Sequence, residues 1–185
     1  MQEVYEIQDM LAELAQTHIR HRTNRPVDYK LQIDETLPAI LMGDCARIKQ
    51  IISILLSNAF RYTEKGSVTL SFGFIENRAE NDYITLVASV RDTGIGMTEE
   101  QVNRVYEDFA NTCAGKNSDA SLVSVSTSIT NRILSLLNAK LDILSELNVG
   151  TTIIVSIPQI VASAKTLGAE TARYLSELSE LSGEI

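Results

Sequence analysis

The residues of this 185-residue chain best suited to chemistry are a carboxylate and two glycines, in Arg91-Asp92-Thr93-Gly94-Ile95-Gly96-Met97. They follow directly on the apolar run 83–90. A strand ending in Asp92 fixes an acceptor beside a sharply turning backbone, and glycine reaches positive φ without a Cβ penalty. Gly94 and Gly96 then let a flat ligand lie close to the main chain, with Asp92 accepting from an exocyclic amine such as that of adenine. By itself, Asp-X-Gly-X-Gly also makes plain turns after strands, so this reading needs support from elsewhere in the chain.

Other chemistries find little footing. The 2 histidines, His18 and His21, fall in a predicted first helix and read as polar positions on a solvated face, not as a metal or acid–base pair. No Ser–His–Asp or Cys–His arrangement and no zinc spacing is present. Cys45 and Cys113 lie far apart and read as reduced thiols of a cytoplasmic protein. A net charge of −8 argues against nucleic acid or an anionic membrane as the main partner. An acidic protein that binds a nucleotide needs a divalent cation to bridge the phosphates. Apolar residues at 44% and charged residues at 22% fit a soluble globular domain. No apolar run approaches the roughly 18–20 residues of a membrane span, and the acidic start lacks the basic and apolar regions of a signal peptide.

The elements that must position these residues are read from periodicity. Residues 4–7 form a short strand, and 8–22 carry Met10, Leu11, Leu14 and Ala15 on one helical face. Residues 29–34 alternate as a half-buried strand, and Ile40-Leu41-Met42 is a brief apolar run into Gly43-Asp44. The clearest helix covers 46–62, with Ile48, Ile51, Ile52, Leu55, Leu56 and Ala59 at helical spacing and Asp44 placed as its cap. Strands 67–75 and 83–90 follow around a polar hairpin, the first with Val68, Leu70 and Phe72 on its buried face. Thr98 with Glu99 and Glu100 opens a short helix to Phe109, and 111–120 reads as a mobile loop. A second strong helix, 124–138, has Ile129, Ile133, Leu134, Leu136 and Leu137 as its stripe. Strands 140–147 and 151–157 follow, the second stopped by Pro158.

The expected class is α/β, a two-layer sandwich with a mixed, mostly antiparallel sheet of about five strands on about three helices. Residues 1–158 make this domain. Residues 159–185 form a C-terminal amphipathic helix or linker, with Leu167, Tyr174, Leu175, Leu178 and Leu181 on its apolar face.

Several segments together resemble one family. Gly43-Asp44-Cys45-Ala46-Arg47-Ile48-Lys49-Gln50-Ile51, Leu55-Leu56-Ser57-Asn58-Ala59-Phe60-Arg61-Tyr62-Thr63 and Gly66-Ser67-Val68 are similar to the N box of sensor histidine kinases. Asp92-Thr93-Gly94-Ile95-Gly96-Met97 resembles their first glycine box, and Val105-Tyr106-Glu107-Asp108-Phe109 their F box. Ile129-Thr130-Asn131-Arg132-Ile133-Leu134, Lys140-Leu141 and Gly150-Thr151-Thr152-Ile153 resemble the helix and closing strands of the same domain. The run from Leu31 to Asp44 is most like hybrid kinases that carry receiver domains. The resemblance covers about residues 3–158 and implies the ATP-binding catalytic domain of a histidine kinase, in the GHKL superfamily with gyrase B and MutL. It implies a GHKL-type fold, ATP as substrate, Mg²⁺ at Asn58, Arg61 and Tyr62 beside the nucleotide, Asp92 on the adenine amine and Thr152 completing the adenine pocket. Its implied partners are the dimerisation and histidine-acceptor domain of the same kinase and a receiver domain.

Two departures temper the expected activity. Ile54 stands where the family has Asn or Glu, one turn before the metal-binding Asn, and it can neither ligate metal nor polarise water. Leu122, Ser124 and Ser126 align with a Gly-X-Gly-X-Gly run whose backbone cradles the phosphates. Val123 and Val125 between them resist positive φ, which disfavours that nest, although Ser124 and Ser126 retain hydroxyls as phosphate or lid candidates. Neither His18 nor His21 fits the family's phospho-acceptor pattern. The expectation is a histidine kinase domain of reduced activity; the alternative is a pseudokinase that docks and signals, binding nucleotide weakly or not at all. A free-standing GHKL ATPase or anti-sigma-type kinase fits the hybrid-kinase character of residues 31–63 less well.

Overall fold

Alternating and helical patterns of apolar residues sort this chain into a sheet and a helical layer. The computed structural model describes residues 2–17, 26–77, 82–113 and 122–181, with 108–113 and 122–128 described by their backbone only. The elements run β1 (Glu3–Glu6), α1 (Ile7–Thr17), β2 (Val27–Ile33), β3 (Ile40–Gly43), α2 (Cys45–Tyr62), β4 (Gly66–Glu76) and β5 (Tyr83–Asp92). They continue α3 (Glu99–Cys113), α4 (Leu122–Leu137), β6 (Lys140–Glu146), β7 (Gly150–Val161) and α5 (Ala169–Leu181). The strands form one mixed sheet in the order β1-β3-β7-β5-β4-β2, with β6 also pairing β7. Among the described residues only β2 and β4 pair in parallel. The two-layer α/β class is as expected, with seven strands and five helices among the described residues.

Strand period sends alternate side chains to one face. Val68, Leu70 and Phe72 of β4, Leu86, Ala88 and Val90 of β5, and Val155 and Ile157 of β7 are buried there. Against them lie Ile48, Ile51, Ile52, Leu55, Leu56 and Ala59 of α2, together with Met10, Leu11 and Leu14 of α1. Asp44 starts α2 as expected. Its Oδ1 accepts from the Arg47 amide at 3.2 Å, and its Oδ2 pairs with the Arg47 guanidinium. Thr63 ends the helix in extended backbone, its hydroxyl donating to Ala59 O at 2.8 Å.

Some expectations need correction. Strand β7 does not stop at Pro158 but runs on to Val161. On one side Pro158 pairs with Thr85; on the other, β6 reaches only to Ser156 and β3 begins at Ile160. Pro158 thus occupies a gap where no neighbour asks for the N–H it lacks. Helix α3 continues past Phe109 through Cys113, into the expected loop; residues 114–121 lie outside the described residues, as do His18 and His21. In α4, Ile133, Leu134 and Leu137 are buried, but Ile129 and Leu136 are exposed. The buried arc turns instead through Thr130 and Asn131, because α4 packs against both α2 and α3.

Helix α5 packs on β2 and α1, with Ala172 and Leu175 in the same core and Tyr174 exposed; Leu167, expected on the helix, is buried in the segment before it, where its amide donates to Leu37 O at 2.8 Å. Ser179 Oγ accepts from the Leu31 amide on the open edge of β2 at 3.2 Å and donates to Ser176 O at 2.6 Å. Leu175 is fully buried, so Leu175→Ala should cost about 2–5 kcal/mol of unfolding free energy. Tyr174→Ala, one residue away on the exposed side, should change it by less than about 0.5 kcal/mol. Denaturant titration of the two variants separates these outcomes.

Candidate functional site

The inward line of β5, Ile84, Leu86, Ala88 and Val90, ends in Asp92, because a period of two keeps residue 92 on the core face. A carboxylate only 9% exposed therefore sits at the rim between sheet and helices. Its Oδ1 accepts from the Gly94 amide at 2.9 Å and the Thr151 amide at 3.3 Å. Its Oδ2 has no hydrogen-bond partner among the described residues and is the oxygen available to a ligand. Burial pushes the Asp92 carboxyl above the usual carboxylate range, and the two amide donations offset only part of that shift.

The glycines hold the loop after Asp92 against its neighbours. A side chain at Gly94 would overlap the carbonyl of Tyr62 at the end of α2, and Ile95 N donates to that same oxygen at 3.3 Å. Gly96, at φ 63°, lies against the carbonyl of Glu146; Gly150, at φ 135°, lies against that of Asp92. The atoms nearest these glycines are thus the protein's own backbone, a more immediate reason for glycine than room for a ring. Asn148 N closes the contact by donating to Ile95 O at 2.7 Å.

Helix α2 supplies the other candidates. Ile54, Asn58 and Arg61 follow helical spacing on one side of it, Ile54 and Asn58 half-buried and Arg61 exposed. Ile54 packs against the core. Tyr62 is exposed, its ring 5.9 Å from the Arg61 guanidinium carbon. The contact of Tyr62 with Gly94 and Ile95 brings this last turn of α2 to the Asp92 loop. Ser124 and Ser126 fall within α4, whose backbone is helical from Leu122; their side chains lie outside the described residues.

One expected residue points elsewhere. Thr152 pairs with Arg91, on the face of the sheet away from Asp92, whereas Thr151 pairs with Asp92 itself and is buried. A shift of one residue reverses the face. The alternation of Val155 and Ile157 carries the inward phase back to Thr151 and was the available signal. Ser145 of β6 was not singled out at all. Its hydroxyl reaches the Met97 amide and the Thr151 hydroxyl, both at 2.8 Å.

Comparison with known proteins bears on this arrangement. The family described as "Histidine kinase-, DNA gyrase B-, and HSP90-like ATPase" matches residues 43–160. The sensor histidine kinase RcsC of Escherichia coli K12 is 31% identical over 126 residues, 68% of this chain and 12% of that protein. The hybrid signal transduction histidine kinase B of Dictyostelium discoideum is 28% identical over 132 residues, 71% of this chain and 7% of that protein. The chain thus spans a small fraction of these relatives' length. Its fold is shared by full-length ShkA, solved in complex with AMPPNP, at a TM-score of 0.69 and 21% identity, covering 88% of this chain and 32% of that one.

The raised carboxyl of Asp92 has a consequence for stability. A carboxyl whose pKa is higher folded than unfolded stabilises the fold while protonated. That contribution is lost as pH rises from the ordinary aspartate range through the raised folded value. Asp92→Asn keeps an oxygen for the Gly94 and Thr151 amides without the charge. Its melting temperature at neutral pH should equal or exceed that of the parent, and the decline over that acidic window should shrink. A thermal melt series across pH checks this; a variant much less stable at neutral pH would contradict it.

Proposed function

Because the chain belongs to the family of histidine kinase-, DNA gyrase B- and HSP90-like ATPases, we propose that it is the ATP-binding catalytic domain of a two-component sensor histidine kinase of hybrid type. The observation that carries the reading is Asp92, with Oδ1 held by two amides and Oδ2 left to accept from the adenine amine. The domain delivers the γ-phosphoryl group of ATP to a histidine on the dimerisation domain of the same kinase, in the cytoplasm, with a receiver domain as the further partner. Catalysis of this kind rests on positioning and charge neutralisation. Asn58 offers a neutral amide oxygen to Mg²⁺. Among the described residues no group of three or more His, Cys, Asp or Glu side chains gathers to hold a metal. A hard cation sharing its sphere among one protein oxygen, phosphate oxygens and water fits that donor set, and when bound it would neutralise phosphate charge. Arg61 and Tyr62 flank the nucleotide from the last turn of α2. Ser124 and Ser126 are the hydroxyls offered to the phosphates.

Titration calorimetry with ATP is the direct test. The chain should bind ATP weakly, and more weakly once Mg²⁺ is chelated. Asp92→Asn should lower the affinity by about ten- to a hundredfold through loss of a charged hydrogen bond. Absence of binding at millimolar ATP would overturn the reading.

A second reading, a pseudokinase that docks on partner domains, draws support from Ile54. An apolar side chain packed against the core one turn before Asn58 leaves no group there to polarise water. If the deficit is local, Ile54→Glu should raise phosphotransfer to an added acceptor domain by tenfold or more, within the usual range for general-base catalysis, with ATP affinity little changed. Transfer that stays undetectable in both forms would favour the pseudokinase.

A further inference from the structure

Ser145 stands on β6, outside the motifs that the sequence brings forward, yet it joins three parts of the site. Its Oγ lies 2.8 Å from the Met97 amide, 3.1 Å from Gly150 O and 2.8 Å from Thr151 Oγ1. A serine hydroxyl has one proton to give and two acceptor positions. The Met97 amide can only donate, and the Gly150 carbonyl can only accept. All three contacts hold together in one arrangement only, with the Ser145 proton on Gly150 O and the Thr151 proton on Ser145 Oγ. With its single proton used in this way, Thr151 has only lone pairs left to present.

Thr151 lies directly across the ladder from Asp92, on the same face. Side chains so placed have Cβ atoms about 4.5–5.5 Å apart. Asp92 Oδ2 and Thr151 Oγ1 then both act as acceptors at one end of β5 and β7. A 6-amino group placed between the two oxygens can donate a hydrogen to each, whereas a 6-oxo group in the same place sets its own lone pairs against theirs and leaves only the neighbouring N1–H to donate.

We infer that Ser145 is a positioning residue that fixes the Thr151 hydroxyl as an acceptor and so makes the site prefer a 6-amino purine to a 6-oxo purine. This rests on the nucleotide-binding reading above. Without Ser145, the Thr151 hydroxyl is free to rotate and donate to a carbonyl, so discrimination falls.

The test compares ATP with inosine triphosphate, which carries a 6-oxo group and a protonated N1, by calorimetric titration of the full chain. The parent should favour ATP. Ser145→Ala should lower the ATP-to-inosine triphosphate preference by about tenfold, the worth of one well-placed hydrogen bond. Mere loosening of the loop at Met97 would weaken both nucleotides alike and leave the ratio unchanged. Ser145→Thr, which restores a hydroxyl, should return the ratio to the parent value. In a Thr151→Val background, Ser145→Ala should no longer alter the ratio, as a double-mutant cycle requires. If Ser145→Ala does not fold, Ser145→Cys keeps the side-chain shape with a weaker partner and should move the ratio in the same direction. An unchanged ratio in a folded variant would overturn this inference and leave the nucleotide reading standing. Failure of the parent to bind ATP would overturn both.

Discussion

The register between β5 and β7 governs what the rest of the structure can do. The two strands pair without interruption from Tyr83 opposite Ile160 to Asp92 opposite Thr151. Leu86 with Ile157 and Ala88 with Val155 are buried pairs that pin this alignment, since a slip of one residue would send the slipped strand's apolar row to the open face. A slip of β5 would carry Arg91 to the core side in place of Asp92, and a slip of β7 would carry Thr152 there in place of Thr151. An acidic acceptor at the rim is therefore a by-product of hydrophobic burial farther along the same strands. Gly150 secures the end of the alignment, because its backbone passes against the Asp92 carbonyl at a spacing that excludes a side chain.

From that alignment the site divides into two halves on different supports. In the proposed function, recognition of a base rests on strands and on the loop held by Gly94 and Gly96, all tied to the sheet by backbone hydrogen bonds. The same proposal gives phosphates and metal to the exposed side of α2 and the start of α4. The first half can stay in place whatever side chains occupy the second. This is why Ile54, and the absence of glycine around Ser124 and Ser126, bear on phosphate handling without disturbing the carboxylate. The halves meet where the last carbonyl of α2 touches the loop, so the position of that helix is sensed at the base site.

Much of this was legible in the residues themselves. The stripe of α2 and its Asp44 cap, the alternation of β4 and β5, and the Asp92 turn all follow local rules that the fold leaves intact. What escaped depended on partners distant in sequence. The stop expected at Pro158 is sound for a strand with neighbours on both sides throughout, and fails because β6 and β3 leave a gap beside it. The stripe of α4 turned because a second helix, α3, shares its burial, and so Thr130 and Asn131 displace Ile129 and Leu136 from the core side. Which of the adjacent Thr151 and Thr152 shares a face with Asp92 is visible only once the register is known. Ser145 carries no local signature; only the meeting of β6, β7 and the Met97 amide gives its hydroxyl a task.

Hydroxyl groups also close the sheet's borders. On β2 the outward Leu31 amide is taken by Ser179 of α5, and on β6 the outward Ile143 amide is taken by the Tyr106 hydroxyl of α3 at 2.7 Å. The remaining border, β1, is only 4 residues long. A sheet with its borders occupied in this way is a poor template for another strand. Two copies of the domain that meet are thereby guarded against zipping into a shared sheet. Contact must instead run through side-chain surfaces, which can part and re-form without breaking a ladder.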